Sequence, residues 1–190
     1  MKNLKITALA LVSFLALTSC DKDDDKPVNV LESITTITAI YTPVGGGTAI
    51  TLNSKDLDGA GPNAPVVTVS GNFALSKTYN GVVTFKNEAA NPVKDITPEI
   101  ITEGKEHQLF YQKTGTLASF TYGTATTNLD SNGKPVGLQS VFVTTTAATG
   151  TLKITLKHKP NKSATGVSAG DITNAAGTSD IEATFNVVVQ

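Results

Sequence analysis

The sequence predicts an all-β protein, an immunoglobulin-like or Greek-key β-sandwich of about eight or nine strands with one short helix. Three observations support this fold class. Several stretches alternate apolar and polar residues with the two-residue period of a strand that has one buried face. Glycine and proline, which mark turns, number 16 and 8 and recur between those stretches. Threonine, a β-branched residue that favours strands, is abundant.

The first half of the predicted domain contains four short strands. The residues that punctuate them include Gly45-Gly46-Gly47 and Asp58-Gly59. Alternation within each stretch indicates that one face points toward a core and the other toward water. The predicted strands are residues 34–41, 48–53, 66–70 and 79–87.

A single helix of about two turns is predicted near residues 97–104. Thr97 is a suitable N-capping residue, Pro98 suits the first helical position, and Glu99 favours the positive end of the helix dipole. Gly104 is typical of the residue that closes a helix. Because strands are predicted on both sides, this helix should connect one strand to the next.

Five more strands follow the helix. In the fourth of them, Leu152 and Leu156 should face the core while Thr155 faces water, and Phe185 has the core phase of the last strand. The pair Asn132-Gly133 suits a tight turn that needs positive φ angles. The predicted strands are residues 107–112, 117–122, 138–146, 152–158 and 181–189.

The charge composition argues against a nucleic-acid partner. Fifteen basic residues, all of them lysine, stand against sixteen acidic ones, which gives a net charge of −1. Phosphate recognition depends on clustered Lys and Arg and on the two-pronged Arg fork. We therefore predict that the protein does not bind nucleic acid.

Residues 1–19 have the features of a lipoprotein signal peptide. A basic start precedes an apolar run of about twelve residues, which is short of the roughly twenty that span a bilayer. The following Leu17-Thr18-Ser19-Cys20 resembles the lipobox of bacterial lipoproteins, in which the cysteine takes a diacylglyceryl group and becomes the acylated N-terminus. The resemblance implies that acyl chains such as palmitate on Cys20 anchor the protein to a membrane.

Residues 20–32 are predicted to be a lipidated acidic tether, and residues 33–190 a single β-sandwich domain. Blocks of like charge repel one another and stay solvated. The acidic cluster also resembles the surface-export signal of Bacteroidota lipoproteins. Its members are Asp21, Asp23, Asp24 and Asp25.

The lipobox, the acidic leader and residues 95–111, 150–160 and 170–185 together resemble a group of small Bacteroidota lipoproteins. Members are sometimes labelled as type 1 periplasmic binding domain proteins, a two-lobed α/β fold for which this chain is too short and too rich in strands. The resemblance implies an outer-membrane lipoprotein, exposed at the cell surface or, alternatively, facing the periplasm. It transfers no catalytic residue.

Cys20 is the only cysteine, so the rest of the chain has no thiol for a disulfide, a nucleophile or a zinc site. Gly166-Val167-Ser168-Ala169-Gly170 matches the G-x-S-x-G pattern of a hydrolase elbow, in which the serine lies on a sharp strand-to-helix turn. No apolar strand leads into this loop. We therefore predict no enzymatic activity and keep a serine hydrolase as the third hypothesis.

Asp56 and Asp58 are spaced like the first ligands of a calcium loop. The twelfth position, where an EF-hand places a bidentate Glu, is Val67, so we interpret the segment as a solvated turn. A looser cation site shared with other loops is the alternative. Its further carboxylates would be Asp130, Asp171 or Asp180.

His107 and His158 are the only imidazoles, and both have the phase of core-facing residues at a strand end. We interpret them as rim histidines that are hydrogen-bonded to backbone. The alternative is a haem or metal carrier that uses both as ligands.

The preferred function is a membrane-anchored, surface-exposed binding module without catalysis or cofactor. Binding needs only loops on a sandwich, a common use of this scaffold. Its ligand is an unidentified protein, glycan or small molecule.

Overall fold

The structure is a computed structural model that describes residues 33–59 and 61–190, and its strands form two antiparallel sheets. The strands of the described residues are β1 (Thr36–Pro43), β2 (Ile50–Lys55), β3 (Val66–Val69), β4 (Thr78–Asn87), β5 (Lys94–Asp95), β6 (His107–Lys113), β7 (Phe120–Tyr122), β8 (Gln139–Val143), β9 (Ala148–His158) and β10 (Thr178–Val189). All nine predicted strands are present. The short β5 was not predicted, because two residues are too few to show a period.

The larger sheet has the strand order β3-β2-β1-β4-β8-β7, with β5 paired to β4, and the smaller sheet has the order β10-β9-β6. One helix, α1 (Thr97–Thr102), lies in the chain between β5 of the larger sheet and β6 of the smaller one. The predicted connecting helix and the all-β sandwich are therefore confirmed. No helix among the described residues is long and apolar enough to cross a membrane.

The core lies between the two sheets and is rich in aromatic rings. Phe73 makes edge-to-face contacts with Tyr41, Tyr79 and Phe142, with ring centroids 4.9–5.6 Å apart. Phe185 of β10 is fully buried, as its alternation predicted. Burying one such side chain contributes about 1.5–3 kcal/mol, so these rings supply a large part of the stability.

The predicted cap of α1 is wrong. The N-cap is Ile96, and the Thr97 hydroxyl instead accepts a hydrogen bond from the Phe85 N–H of β4 at 2.9 Å. The backbone N–H of Thr97 donates to the Asp95 carboxylate at 3.0 Å. The hydroxyl that could cap the helix is therefore used to fasten it to the larger sheet, where Ile100 is buried.

The outer face of the smaller sheet is covered by residues 159–177, which we call the cover segment. A second apolar cluster lies beneath it, formed by Phe110 of β6 with Val167 and Ala175 of the segment. Thr155 was predicted to face water but is 1% exposed, because the cover segment lies over that face. Gln108 is also buried there and donates hydrogen bonds to the Tyr122 hydroxyl and the Val167 carbonyl.

A buried ion pair fastens the cover segment. Its Lys162 ammonium donates to the Asp130 carboxylate at 2.9 Å and to the carbonyls of Pro135 and Gly104. The two charged side chains are 7% and 2% exposed. Asp130 belongs to the tight turn predicted from Asn132-Gly133, in which Gly133 has a φ of 71°. Lys162 therefore joins the cover segment to two separate loops.

Candidate functional site

The structure brings the two histidines into contact. His107 begins β6, His158 ends β9, and the two residues are direct partners in the antiparallel register. Their rings stack with centroids 5.0 Å apart and planes 8° from parallel. The sequence placed both residues on core-facing phases at strand ends, but the register that joins them depends on how β6 aligns with β9.

The third member of the cluster is Asp180, and a β-bulge places it there. In the pairing of β10 with β9, Ser179 lies opposite Lys157 and Ile181 lies opposite Leu156, so Asp180 has no partner. A bulge of this kind turns a side chain out of the regular alternation. One Asp180 carboxylate oxygen lies 3.5 Å from His107 Nε2, and the other lies 3.8 Å from His158 Nδ1.

Each remaining ring nitrogen also faces an oxygen. His107 Nδ1 lies 3.2 Å from the Glu103 carbonyl and 3.9 Å from its carboxylate, while His158 Nε2 lies 3.4 Å from the Glu106 carboxylate. Burial lowers the pKa of His107, but Asp180 and Glu103 together raise it further, so that the net direction is upward. The backbone contact of His107 is of the kind that we expected for a rim histidine.

The arrangement differs from that of a metal or haem site. Two imidazoles that bind one ion must direct a lone pair, each in its own ring plane, toward a common point. In nearly parallel stacked rings, the lone pairs lie in two separate planes and do not point at one ion. A haem iron, in addition, needs the two imidazoles on opposite faces of its porphyrin. Among the described residues, no group of three or more His, Cys, Asp or Glu side chains is placed to hold a metal ion.

Ser168 lies in the cover segment, ten residues after His158 ends β9. It forms part of a 3₁₀ turn at Val167–Ala169 between two glycines with positive φ. Its hydroxyl donates to the Lys162 carbonyl at 2.6 Å, which ties the turn together. The imidazoles make their polar contacts with Glu103, Glu106 and Asp180 instead.

The carboxylates of the calcium hypothesis are used within their own loops or in other contacts. Asp56 accepts a hydrogen bond from the Gly59 N–H at 2.9 Å, and Asp58 accepts two from Asn63. These bonds lower the pKa of Asp58. Asp171 accepts the Thr173 N–H at 2.9 Å. With Asp130 bound to Lys162 and Asp180 beside the histidines, the structure does not bring these groups together.

A second candidate region is the outer face of the larger sheet, which the sequence did not single out. Ile40 and Val82 are direct cross-strand neighbours there and are 43% and 48% exposed. The strand positions of this outer face carry hydroxyl, amide and β-branched side chains, two lysines and one acidic residue, Asp95, opposite Lys86, but no aromatic residue. They are Thr36, Thr38, Ile40, Thr42, Thr51, Asn53, Lys55, Val66, Thr68, Thr78, Asn80, Val82, Thr84, Lys86, Asp95, Thr121, Gln139, Val141 and Val143.

A shallow depression crosses this face beside Gly81. It contains about 670 Å³ of space open to solvent, between β4, β8 and the loop at residues 123–125. A Cβ atom at Gly81 would lie 2.4 Å from the Tyr41 ring, so only glycine lets that ring pack under the sheet. The Tyr41 hydroxyl is 3.2 Å from the Ser140 hydroxyl of β8, and this contact holds the Tyr41 ring beneath the depression.

The predicted lipid anchor and export signal lie outside the described residues. They comprise the lipobox ending at Cys20 and the acidic cluster of Asp21, Asp23, Asp24 and Asp25. The comparisons with known proteins add no relative: no family model, no curated protein and no solved structure matches this chain.

Proposed function

We propose that the protein is a membrane-anchored lipoprotein of the outer membrane whose β-sandwich is a surface-exposed binding module without catalysis. The observation that carries this proposal is the asymmetry of the two sheets. The smaller sheet has its outer face covered by the chain's own cover segment, whereas the larger sheet leaves Ile40 and Val82 exposed. A face that residues 33–59 and 61–190 leave uncovered is available for a partner.

The depressions of the described residues favour a macromolecular partner over a small molecule. Small-molecule sites bury most of their ligand in a concave, largely apolar pocket. The cleft beside His107 contains only about 270 Å³ of space, while the depression beside Gly81 and a larger one of about 840 Å³ at residues 101–106 and 129–131 are broadly open to solvent. The outer face of the larger sheet has no aromatic ring on which a sugar could stack. We therefore favour a protein partner over a glycan.

The anchor follows from the lipobox. Each buried methylene contributes about 0.8 kcal/mol of membrane affinity, and a single acyl chain binds only marginally, so stable anchoring needs the two or three chains that a lipidated Cys20 carries. The acidic residues after it would then lead the domain away from the membrane to the cell surface. In this arrangement the β-sandwich domain is accessible to partners outside the cell.

The test is capture of a partner by the immobilised domain from intact cells, with Val82→Arg as the blocking variant. The matched control is Ile101→Arg, because Ile101 is 52% exposed and belongs to α1, not to a strand of the larger sheet. We expect Val82→Arg to abolish the capture that the wild type and Ile101→Arg both retain. Equal capture by all three proteins would show that the outer face of the larger sheet is not the binding surface.

A further inference from the structure

We propose that His107, His158 and Asp180 form a proton-operated clasp. The clasp is closed when His107 is protonated and loosens when His107 is neutral. It joins the start of β6, the end of β9 and the bulge of β10. These three points lie at one end of the smaller sheet, next to the turn that follows α1.

The first argument is a count of protons. Four ring nitrogens face oxygens at 3.2–3.9 Å. A neutral imidazole has one N–H donor and one lone pair, so two neutral rings leave two nitrogens with a lone pair directed at an oxygen. A protonated imidazole donates from both nitrogens. Protonation of His107 gives each of its ring nitrogens a proton to direct at an oxygen, so that a repulsive contact with the Glu103 carbonyl or the Asp180 carboxylate becomes attractive.

The second argument is the charge of the surroundings. Three carboxylates face the histidines, from Glu103 and Glu106 in the turn after α1 and from Asp180 in β10. A positive charge also lies beside these carboxylates: the Lys159 ammonium is 3.7 Å from the Glu106 carboxylate. Glu99 lines the adjacent cleft but is paired with Lys94 at 2.9 Å. Added protons thus reduce a local excess of negative charge.

The position of Asp180 shows why this carboxylate can act on both rings. In a regular strand, residue 180 would pair with a residue of β9 and its side chain would follow the alternation of the strand. The bulge leaves Asp180 unpaired and turns its side chain toward the stacked rings of His107 and His158. Each of its two oxygens then faces a different histidine. Loss of the His107 proton removes the attraction that holds this bulge against the start of β6.

The cleft beside the clasp is what its release would expose. Its lining combines the apolar side chains of Ile34, Ile96 and Ile100 with the polar ones of His107 and Asp180. At low pH the clasp keeps these apolar side chains covered. As the pH rises and His107 loses its proton, the bulge of β10 can separate from the turn after α1.

The sign of the pH dependence follows from the direction of the shift. The pKa of His107 is raised above its ordinary value of 6.5. A raised pKa means that the contribution to the free energy of unfolding is fully present below pH 6.5. That contribution is lost as the pH rises through the pKa of the folded state.

The test is an NMR titration of the two histidine side chains in the β-sandwich domain, assigned with His107→Gln and His158→Gln. We expect His107 to titrate above pH 6.5 and the backbone amides of Ser179 and Asp180 to follow the same midpoint. Asp180→Asn should move the His107 titration to lower pH. The matched control is Glu182→Gln, on the same strand but paired with Lys153 at 2.8 Å, and it should leave the titration unchanged.

Two results would overturn the proposal. One is a wild-type His107 that titrates at or below pH 6.5, or that titrates while the amides of the bulge do not respond. The other is an Asp180→Asn variant whose His107 titrates as in the wild type. If the variants do not fold, the wild-type titration and the amide response still decide the question.

Discussion

Removing the Lys162 ammonium should destabilise the domain more than removing any surface lysine. In Lys162→Met the apolar side chain still fits among its neighbours, but the Asp130 carboxylate, 2% exposed, loses its cation. The carbonyls of Gly104 and Pro135 lose a donor at the same time. The substitution therefore leaves a buried charge without its cation and takes one donor from each of two buried carbonyls.

Removing one partner of a buried ion pair lowers the free energy of unfolding by about 3–5 kcal/mol. Asp130 keeps the backbone N–H donors of Asn132 and Lys134 at 2.8 and 2.9 Å, which favours the lower end of that range. For a domain of this size, such a loss should lower the melting temperature by roughly 10 °C. Urea unfolding at pH 7, followed by circular dichroism, measures it directly.

Two variants separate the buried pair from a general effect of losing a lysine. Adding Asp130→Asn to Lys162→Met should recover part of the lost free energy, because the stranded charge is removed while the turn keeps its acceptor. Lys153→Met, whose pair with Glu182 is exposed, should cost at most about 1 kcal/mol. If Lys162→Met costs no more than Lys153→Met, the argument from burial is refuted.

The pair of Lys162 and Asp130 should also make the free energy of unfolding depend on pH in the acid range. Burial raises the pKa of Asp130, but the N–H groups of Lys134 and Asn132 and the Lys162 ammonium lower it further, so the net direction is downward. A lowered carboxyl pKa contributes stability above the ordinary value of 3.8, and that contribution is lost as the pH falls through the folded-state pKa. In Asp130→Asn, the free energy of unfolding should therefore change less than in the wild type as the pH falls below 3.8.

Three further predictions concern the core, the anchor and the histidines. Phe185→Ala should cost about 3–5 kcal/mol in urea unfolding, and a cost near zero would contradict the register of β10. Cys20→Ala should leave an unlipidated precursor, whereas mass spectrometry of the wild type should find acyl chains on the N-terminal peptide; a soluble, unacylated wild type would contradict the anchor. Haem titrated into the purified domain should give no Soret band, because the stacked imidazoles cannot bind one iron from opposite faces. A sharp band lost in both His107→Ala and His158→Ala would favour a carrier.

The fold could be predicted because its signals are local. Alternation over a few residues identified the core phase of Leu152 and Phe185, and the Pro98 and Glu99 positions marked the helix. The errors arise where a distant segment decides the outcome. Thr155 is buried only because the cover segment lies over its face, and the Thr97 hydroxyl bonds to β4 instead of capping α1.

The histidine cluster shows the same limit more sharply. Both histidines had the core phase, and that signal was enough to place each at a strand end. Their stacking needs the register between β6 and β9, and the position of Asp180 needs a bulge in β10. A bulge shifts the alternation by one residue, and nothing in the sequence around Asp180 marks the residue at which this happens.

The clasp and the buried pair act on one segment, which makes their free energies interdependent. The cover segment starts directly after His158 and ends shortly before Asp180, so the clasp holds both of its ends, while Lys162 holds it in between. It leaves β9 through Lys159 and returns through Ala176, both with positive φ near 50°, a conformation that L-residues keep only when their surroundings enforce it. Weakening either the clasp or the Lys162–Asp130 pair loosens the cover segment, to which the other interaction is also attached. Substitutions in the two should therefore deviate from additivity, as expected for sites that share one structural element.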